Sequence, residues 1–224
     1  MGRFLRFNSL SLFFFVLFAA TIVAESIVGW HLYNEEAQQH MSEQIGYLRY
    51  LYTSDFGAAV LENWQSEWLQ FFLFVFATVW FLQEGSPESK ELDKGGLESD
   101  EEQKVGDHAD ADSPLWARVG GMRTRIYENS LLIAFALIFL ASWLTQAVTG
   151  WSEYNNLQEE HDDPKIGFLT YLTRPDFWDR TLQNWQSEFL AVGTMAVLAI
   201  YLRQRGSPES KPVGARHDAT GQTG

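Results

Sequence analysis

The chain has 224 residues and a formal charge of −13, with 29 acidic residues against 16 Lys and Arg. That excess argues against a general nucleic-acid binder. The absence of cysteine excludes disulfides, thiolate metal sites and cysteine nucleophiles. Apolar residues are concentrated: many of the nine Trp and 17 Phe lie in or beside four long apolar runs.

Arg3 and Arg6 precede the first run, which extends from Asn8 to Val28 and is almost entirely apolar until Glu25. About 21 residues at roughly 1.5 Å each cover about 30 Å, the thickness of a bilayer core. A cleavable signal peptide has a similar beginning. However, Asn8-Ser9-Leu10 recurs as Asn129-Ser130-Leu131 in mid-chain. A retained span is therefore expected.

Gly29-Trp30 follows the first run and Gly150-Trp151 the third. Trp at the end of an apolar span reads as an interface anchor. Tyr33 to Ser42 has a helical pattern that prolongs the first span. Residues 46–51 match 167–172 and suit a short segment lying in the interface. Ser54 is placed to cap a helix leading into the second run, and Pro175 takes the same place in the second copy, in a first turn.

The second span is expected from Trp64 to Leu82. Gly85 suits a left-handed helix C-cap, and Pro87 can open a short helix capped by Ser86. Residues 83–114 hold eleven acidic residues against Lys90, Lys94 and Lys104. Such composition buries too little to offset chain entropy, so a disordered linker is expected. Trp116, Arg118, Arg123 and Arg125 then restore a basic, aromatic edge. The third span is read as Asn129 to Thr149 and the fourth as Trp185 to Leu202, closed by Arg203 and Arg205.

The chain is an internal duplication. Asn63-Trp64-Gln65-Ser66-Glu67 returns as Asn184-Trp185-Gln186-Ser187-Glu188, and Gly-Ser-Pro-Glu-Ser-Lys occurs at 85–90 and 206–211. Gapless alignment of 8–90 with 129–211 gives about thirty identities. The period is too long for a solenoid, so a whole unit was copied. Two spans per unit make the copies parallel. The expected organisation is all-α: a first two-span hairpin repeat at 1–90, an acidic linker at 91–114, a second repeat at 115–211 and a disordered tail at 212–224.

Twelve of the 16 cations lie at the termini, in the linker or beside it, leaving Arg49, Lys165, Arg174 and Arg180 in the hairpin loops. The positive-inside rule then puts both termini and the linker in the cytoplasm.

The paired Asn-Trp-Gln-Ser-Glu-[Trp/Phe]-Leu and Gly-Ser-Pro-Glu-Ser-Lys segments resemble a family of bacterial integral membrane proteins known as a domain of unknown function. The likeness covers the chain outside linker and tail. It implies a bacterial inner-membrane protein and carries no chemistry with it.

Among candidate functional residues, Glu67 and Glu188 stand first, each with Asn63 or Asn184 four residues earlier on one helical face. Ionisable groups at membrane depth tend to pair or serve a pathway. The structural reading, which is preferred, makes them helix-start anchors with the asparagines as caps. Glu25 lies one turn inside Gly29-Trp30, and its counterpart is Gln146. A hydrogen bond between helices suits that pair better than a proton relay, which would want a carboxylate twice. His40 and His161 correspond in loops, but no second histidine at metal-ligand spacing accompanies them, so no metal site is expected. No phosphate loop, nucleophile elbow or zinc-protease helix occurs.

These observations lead to a four-span membrane component without enzymatic activity, cofactor or nucleic-acid partner. Its surroundings are the lipid bilayer. The alternative is a small ion or proton transporter or channel subunit using Glu25, Asn63, Glu67, Asn184 and Glu188, for which a homo-oligomer is the expected assembly.

Overall fold

The computed structural model describes residues 2–223. Among these residues it is all-helical, with no strand. In chain order the helices are α1 (Gly2–Phe7), α2 (Ser9–Gln39), α3 (Tyr47–Tyr50), α4 (Ser54–Trp80), α5 (Leu115–Arg118), α6 (Gly121–Glu128), α7 (Ser130–Glu160), α8 (Phe168–Tyr171) and α9 (Pro175–Tyr201). Helices α2 and α7 are 31 residues each and are long and apolar enough to cross a membrane. Little of either apolar stretch is buried inside the molecule. The second and fourth apolar runs form the latter parts of α4 and α9, each 27 residues long.

Several local features recur at a spacing of 121 residues. Asn8 and Asn129 both mark a joint, and each side-chain amide donates to the carbonyl four residues back, Phe4 or Arg125. Helices α2 and α7 run well past their tryptophans, as the pattern from Tyr33 predicts. Each ends with the same capping turn. Met41 and Asp162 both take φ 56°. Ser42 N donates to Ala37 O at 2.7 Å and Asp163 N to Gln158 O at 2.8 Å. These bonds satisfy the last carbonyls of the helix in a Schellman arrangement.

The starts of α4 and α9 differ from each other. Thr53, not Ser54, supplies the hydroxyl that receives the Phe56 amide, at 3.3 Å. Pro175 does sit in the first turn of α9. Both helices carry an acidic residue there, Asp55 and Asp176, where the helix dipole favours negative charge.

Two compact units divide the chain: Met1–Val60 with Val148–Ile166, and Leu61–Ala147 with Gly167–Gly224. In the first unit, each long helix holds its following loop by the same clamp. Trp30 Nε1 donates to Ile45 O at 2.7 Å, and Asn34 pairs with Ile45 through both its amide nitrogen and its amide oxygen. Trp151 and Asn155 repeat this on Ile166, again with a 2.7 Å indole bond. Tyr50 is buried against Gly29, where its hydroxyl leaves no room for a Cβ.

In the second unit, an aromatic cluster gathers around Trp143, with Phe139, Phe177, Trp178 and Trp185 all within about 6 Å, ring to ring. After α4 and α9 the chain leaves the helix and makes a turn. Gly85 and Gly206 are left-handed as expected, at φ 81° and 83°. They are not helix caps, because α4 already ends at Trp80 and α9 at Tyr201. Each glycine occupies the third place of a turn closed by Ser86 N to Gln83 O or Ser207 N to Gln204 O, a position that favours glycine. No helix follows Pro87. Ser86 and Ser207 instead receive the amides of Glu88 and Glu209 in tight side-chain turns. The acidic stretch up to residue 114 consists of turns and irregular chain with one 3-10 turn, Gly106–His108.

Candidate functional site

The placement of the repeated Asn and Glu corrects one reading of the sequence. Helix α4 begins at Ser54 and α9 at Pro175. Glu67 and Glu188 therefore lie 13 residues inside their helices, about 20 Å from the first turn at roughly 1.5 Å per residue. Asn63 and Asn184 are equally internal and do not stand at a helix start. Asn184 Nδ2 bonds back to Arg180 O at 2.8 Å, within its own helix. The helix dipole acts within the first turn, so Asp55 and Asp176 receive its benefit and the two glutamates do not.

The second unit brings Glu67 and Glu188 within electrostatic reach of each other. Glu67 is exposed and Glu188 half-buried. Asn63 is exposed and Asn184 half-buried. Glu25 belongs to the other unit, where it is exposed on α2 and close enough for its charge to act on Tyr50. Tyr50 itself is held above the ordinary tyrosine range by burial and by the charge of Asp55. Gln146, the counterpart of Glu25, is buried in the second unit.

Beside the glutamate pair lies a polar interior. Gln65, Ser66, Gln146 and Thr181 are fully buried, while Phe71, Phe76, Phe189 and Leu190 on the same helices are exposed. Buried polar groups need partners, and several are visible. Trp185 Nε1 donates to Gln65 Oε1 at 2.7 Å, joining the two copies of the repeated motif. Thr181 Oγ1 donates to Phe177 O at 2.9 Å. Arg180 joins α9 to α4 through Glu62 Oε1 at 2.9 Å and also reaches Asp176 at 3.4 Å. The fully buried Tyr171 hydroxyl donates to that same Asp176 carboxylate at 3.0 Å.

Glu62 and Arg180 are invisible to a search by repeat, because their counterparts are Gln183 and Ala59. Asp176 and Tyr171 could have been found that way, since Asp55 and Tyr50 answer them.

The repeated lysines close the turns after α4 and α9. Lys211 is almost wholly buried, and its ammonium donates to the carbonyls of Arg216, His217 and Ala219 at 3.1, 2.9 and 3.1 Å. Burial, aided by the charge of Arg203, holds Lys211 below the ordinary lysine range. Lys90 does the same work with fewer bonds, donating to Gly96 O at 2.7 Å and pairing with Glu98. Ser89 and Ser210 each accept a backbone amide, from Gln83 and Gln204, both at 2.9 Å. The Gly-Ser-Pro-Glu-Ser-Lys segment thus folds the chain that follows it.

Among the described residues no group of His, Cys, Asp or Glu is arranged to hold a metal ion. The fold is therefore that of an all-helical protein with two helices fit to cross a membrane, duplicated loops and a partly polar interior. The chain belongs to the family defined as a domain of unknown function (DUF6766), whose model matches residues 1–222. No curated protein and no solved structure matches it.

Proposed function

We propose that the chain is a four-span protein of the bacterial inner membrane, without enzymatic activity. In this reading α2, α4, α7 and α9 cross the bilayer as two parallel hairpins, with both termini and the linker in the cytoplasm. The observation that carries it is the set of buried polar contacts that join α4 to α9. Gln65, Ser66 and Thr181 are buried, as are Leu69 and Phe177, while Phe71, Phe76, Phe189 and Leu190 are exposed. In lipid, apolar packing gives little preference for the interior, and hydrogen bonds join helices instead. The Gln65–Trp185 bond and the Arg180–Glu62 pair act in that way. Reporter fusions at residue 100 and at the C-terminus should read cytoplasmic, and fusions near residues 40 and 160 should read external. An external signal from residue 100 would overturn the parallel arrangement.

A second reading, conduction of protons or small cations, is favoured by one observation. Glu67 and Glu188 lie deep within their helices and near each other, a costly placement for charge in a membrane. Purified protein in liposomes should then pass protons, Na⁺ or K⁺, and Glu67→Gln with Glu188→Gln should remove most of that flux. Equal flux in empty and protein-containing vesicles rejects this reading and leaves the first intact.

A further inference from the structure

Between the acidic stretch and α7, the short helices α5 and α6 pack against each other. The Thr124 hydroxyl donates to Trp116 O at 2.6 Å, and Ala117 and Thr124 are buried. Gly120 and Gly121, at φ 70° and 67°, make the turn between the two helices, in a conformation that glycine adopts without strain.

The burial of Thr124 fixes how α6 is rotated. At about 100° per residue, Met122 and Ile126 each stand about 160° from Thr124, on the opposite edge of the helix. Both are exposed, Met122 by 69% and Ile126 by 43%. Arg123 and Arg125 each stand about 100° from Thr124, one on either flank of that apolar edge. Both are exposed. Among the described residues neither guanidinium enters an ion pair. Glu128, the one carboxylate of α6, falls about 40° from Thr124, on the packed side. Nearby charges are already engaged: Asp110 pairs with Lys104, and Arg118 donates to Ala111 O at 3.1 Å.

The helix also stands at a definite depth. Arg123 and Arg125 precede Ser130, the first residue of α7, by less than about 11 Å of helix at roughly 1.5 Å per residue. The headgroup layer is about 5–8 Å deep on each side of a bilayer core, and long arginine side chains reach across such a distance. An apolar edge flanked by cations suits that layer: the edge enters the upper acyl region and the guanidiniums meet phosphate oxygens. A chain of charge −13 is repelled by an anionic surface, so the two arginines supply the attraction that the rest of the molecule lacks.

We propose that α6 is a docking surface for anionic phospholipid headgroups of the leaflet in which α7 begins, with Met122 and Ile126 inserted and Arg123 and Arg125 on lipid phosphates. The proposal rests on the reading of α7 as a membrane span.

The chain has no cysteine, so Met122→Cys gives a unique site for a nitroxide label. A neutral nickel chelate in the water phase measures how far that label is shielded in the reconstituted full chain. Vesicles of phosphatidylcholine are compared with vesicles of phosphatidylcholine and phosphatidylglycerol in equal parts. The label should be at least about fivefold less accessible in the anionic vesicles, since one arginine near such a surface favours the bound state by about that factor. Arg123→Gln with Arg125→Gln should abolish the difference, and Arg123→Lys with Arg125→Lys should retain it. Loss in both pairs would mean that packing and not charge places the label, and would overturn the proposal. A second label, at the exposed Leu137 of α7 through Leu137→Cys, should be shielded in both kinds of vesicle. Equal accessibility at Met122 in the two, with Leu137 shielded, would overturn the proposal alone. A label at Leu137 open to the chelate would overturn the reading of α7 as a span, and the proposal with it.

Discussion

Replacing Lys211 by methionine should free residues 212–221, which bond to the first Gly-Ser-Pro-Glu-Ser-Lys turn through Thr220 and Gly221, while leaving the long helices in place. Methionine fills a similar volume but donates nothing, so three carbonyls lose a charged donor in one step. Hydrogen bonds to charged groups contribute about 1.5–3 kcal/mol each when buried. Arg216 and His217 are exposed, however, and the released carbonyls can turn to water. We therefore expect a loss of about 3 kcal/mol, roughly a hundredfold drop in amide protection at Gly85 and Gly221. Lys90→Met should act more weakly, because Lys90 is partly exposed and holds one carbonyl and one carboxylate. Unchanged protection in Lys211→Met would mean that the bonds of Thr220 and Gly221 hold residues 212–221 unaided.

The second large effect belongs to the loop clamps. Asn155→Ala removes two bonds to Ile166 and leaves its amide without the Asn155 oxygen. Asn155 is itself buried, so the cost should be about 2–3 kcal/mol. In a chain of this size that corresponds to a fall in melting temperature of roughly 4–12 °C. Asn34→Ala should follow the same direction with a smaller loss, since Asn34 is half-buried. Asn155→Asp keeps the oxygen that receives the Ile166 amide and should recover part of the stability. Thermal unfolding in detergent of the three variants decides this. Equal melting temperatures for Asn155→Ala and Asn155→Asp would show that the amide bond to Ile166 N contributes nothing.

These clamps also show what the sequence made legible. The spacing of 121 residues located the long helices and the short helices α3 and α8, and Gly85 is left-handed as read. Each of those features has a local cause: an apolar period, an aromatic at a boundary, a φ only glycine adopts freely. The asparagine at 63 misled because a cap and an internal helical asparagine look alike in sequence. What distinguishes them is the residue that starts the helix, here Thr53, ten positions upstream. Glu62 and Arg180 were hidden for another reason. Their pairing is a tertiary event between two helices and has no echo in the other copy. Trp30 and Asn34 were open to discovery, since Trp151 and Asn155 repeat them four residues apart. Their common target is a backbone group, and no side-chain pattern announces it.

The contact of the C-terminal segment with the first turn also orders events in time. Gly85 meets Thr220 across 135 residues of chain. At about 5–20 residues per second, a ribosome takes roughly 7–27 s to make that interval. Throughout it the first turn must remain open, with the Gly85 amide and the Ser86 carbonyl facing water. The first copy therefore completes its fold only after the second has been synthesised, and an early half-product would expose a docking edge that the finished chain conceals.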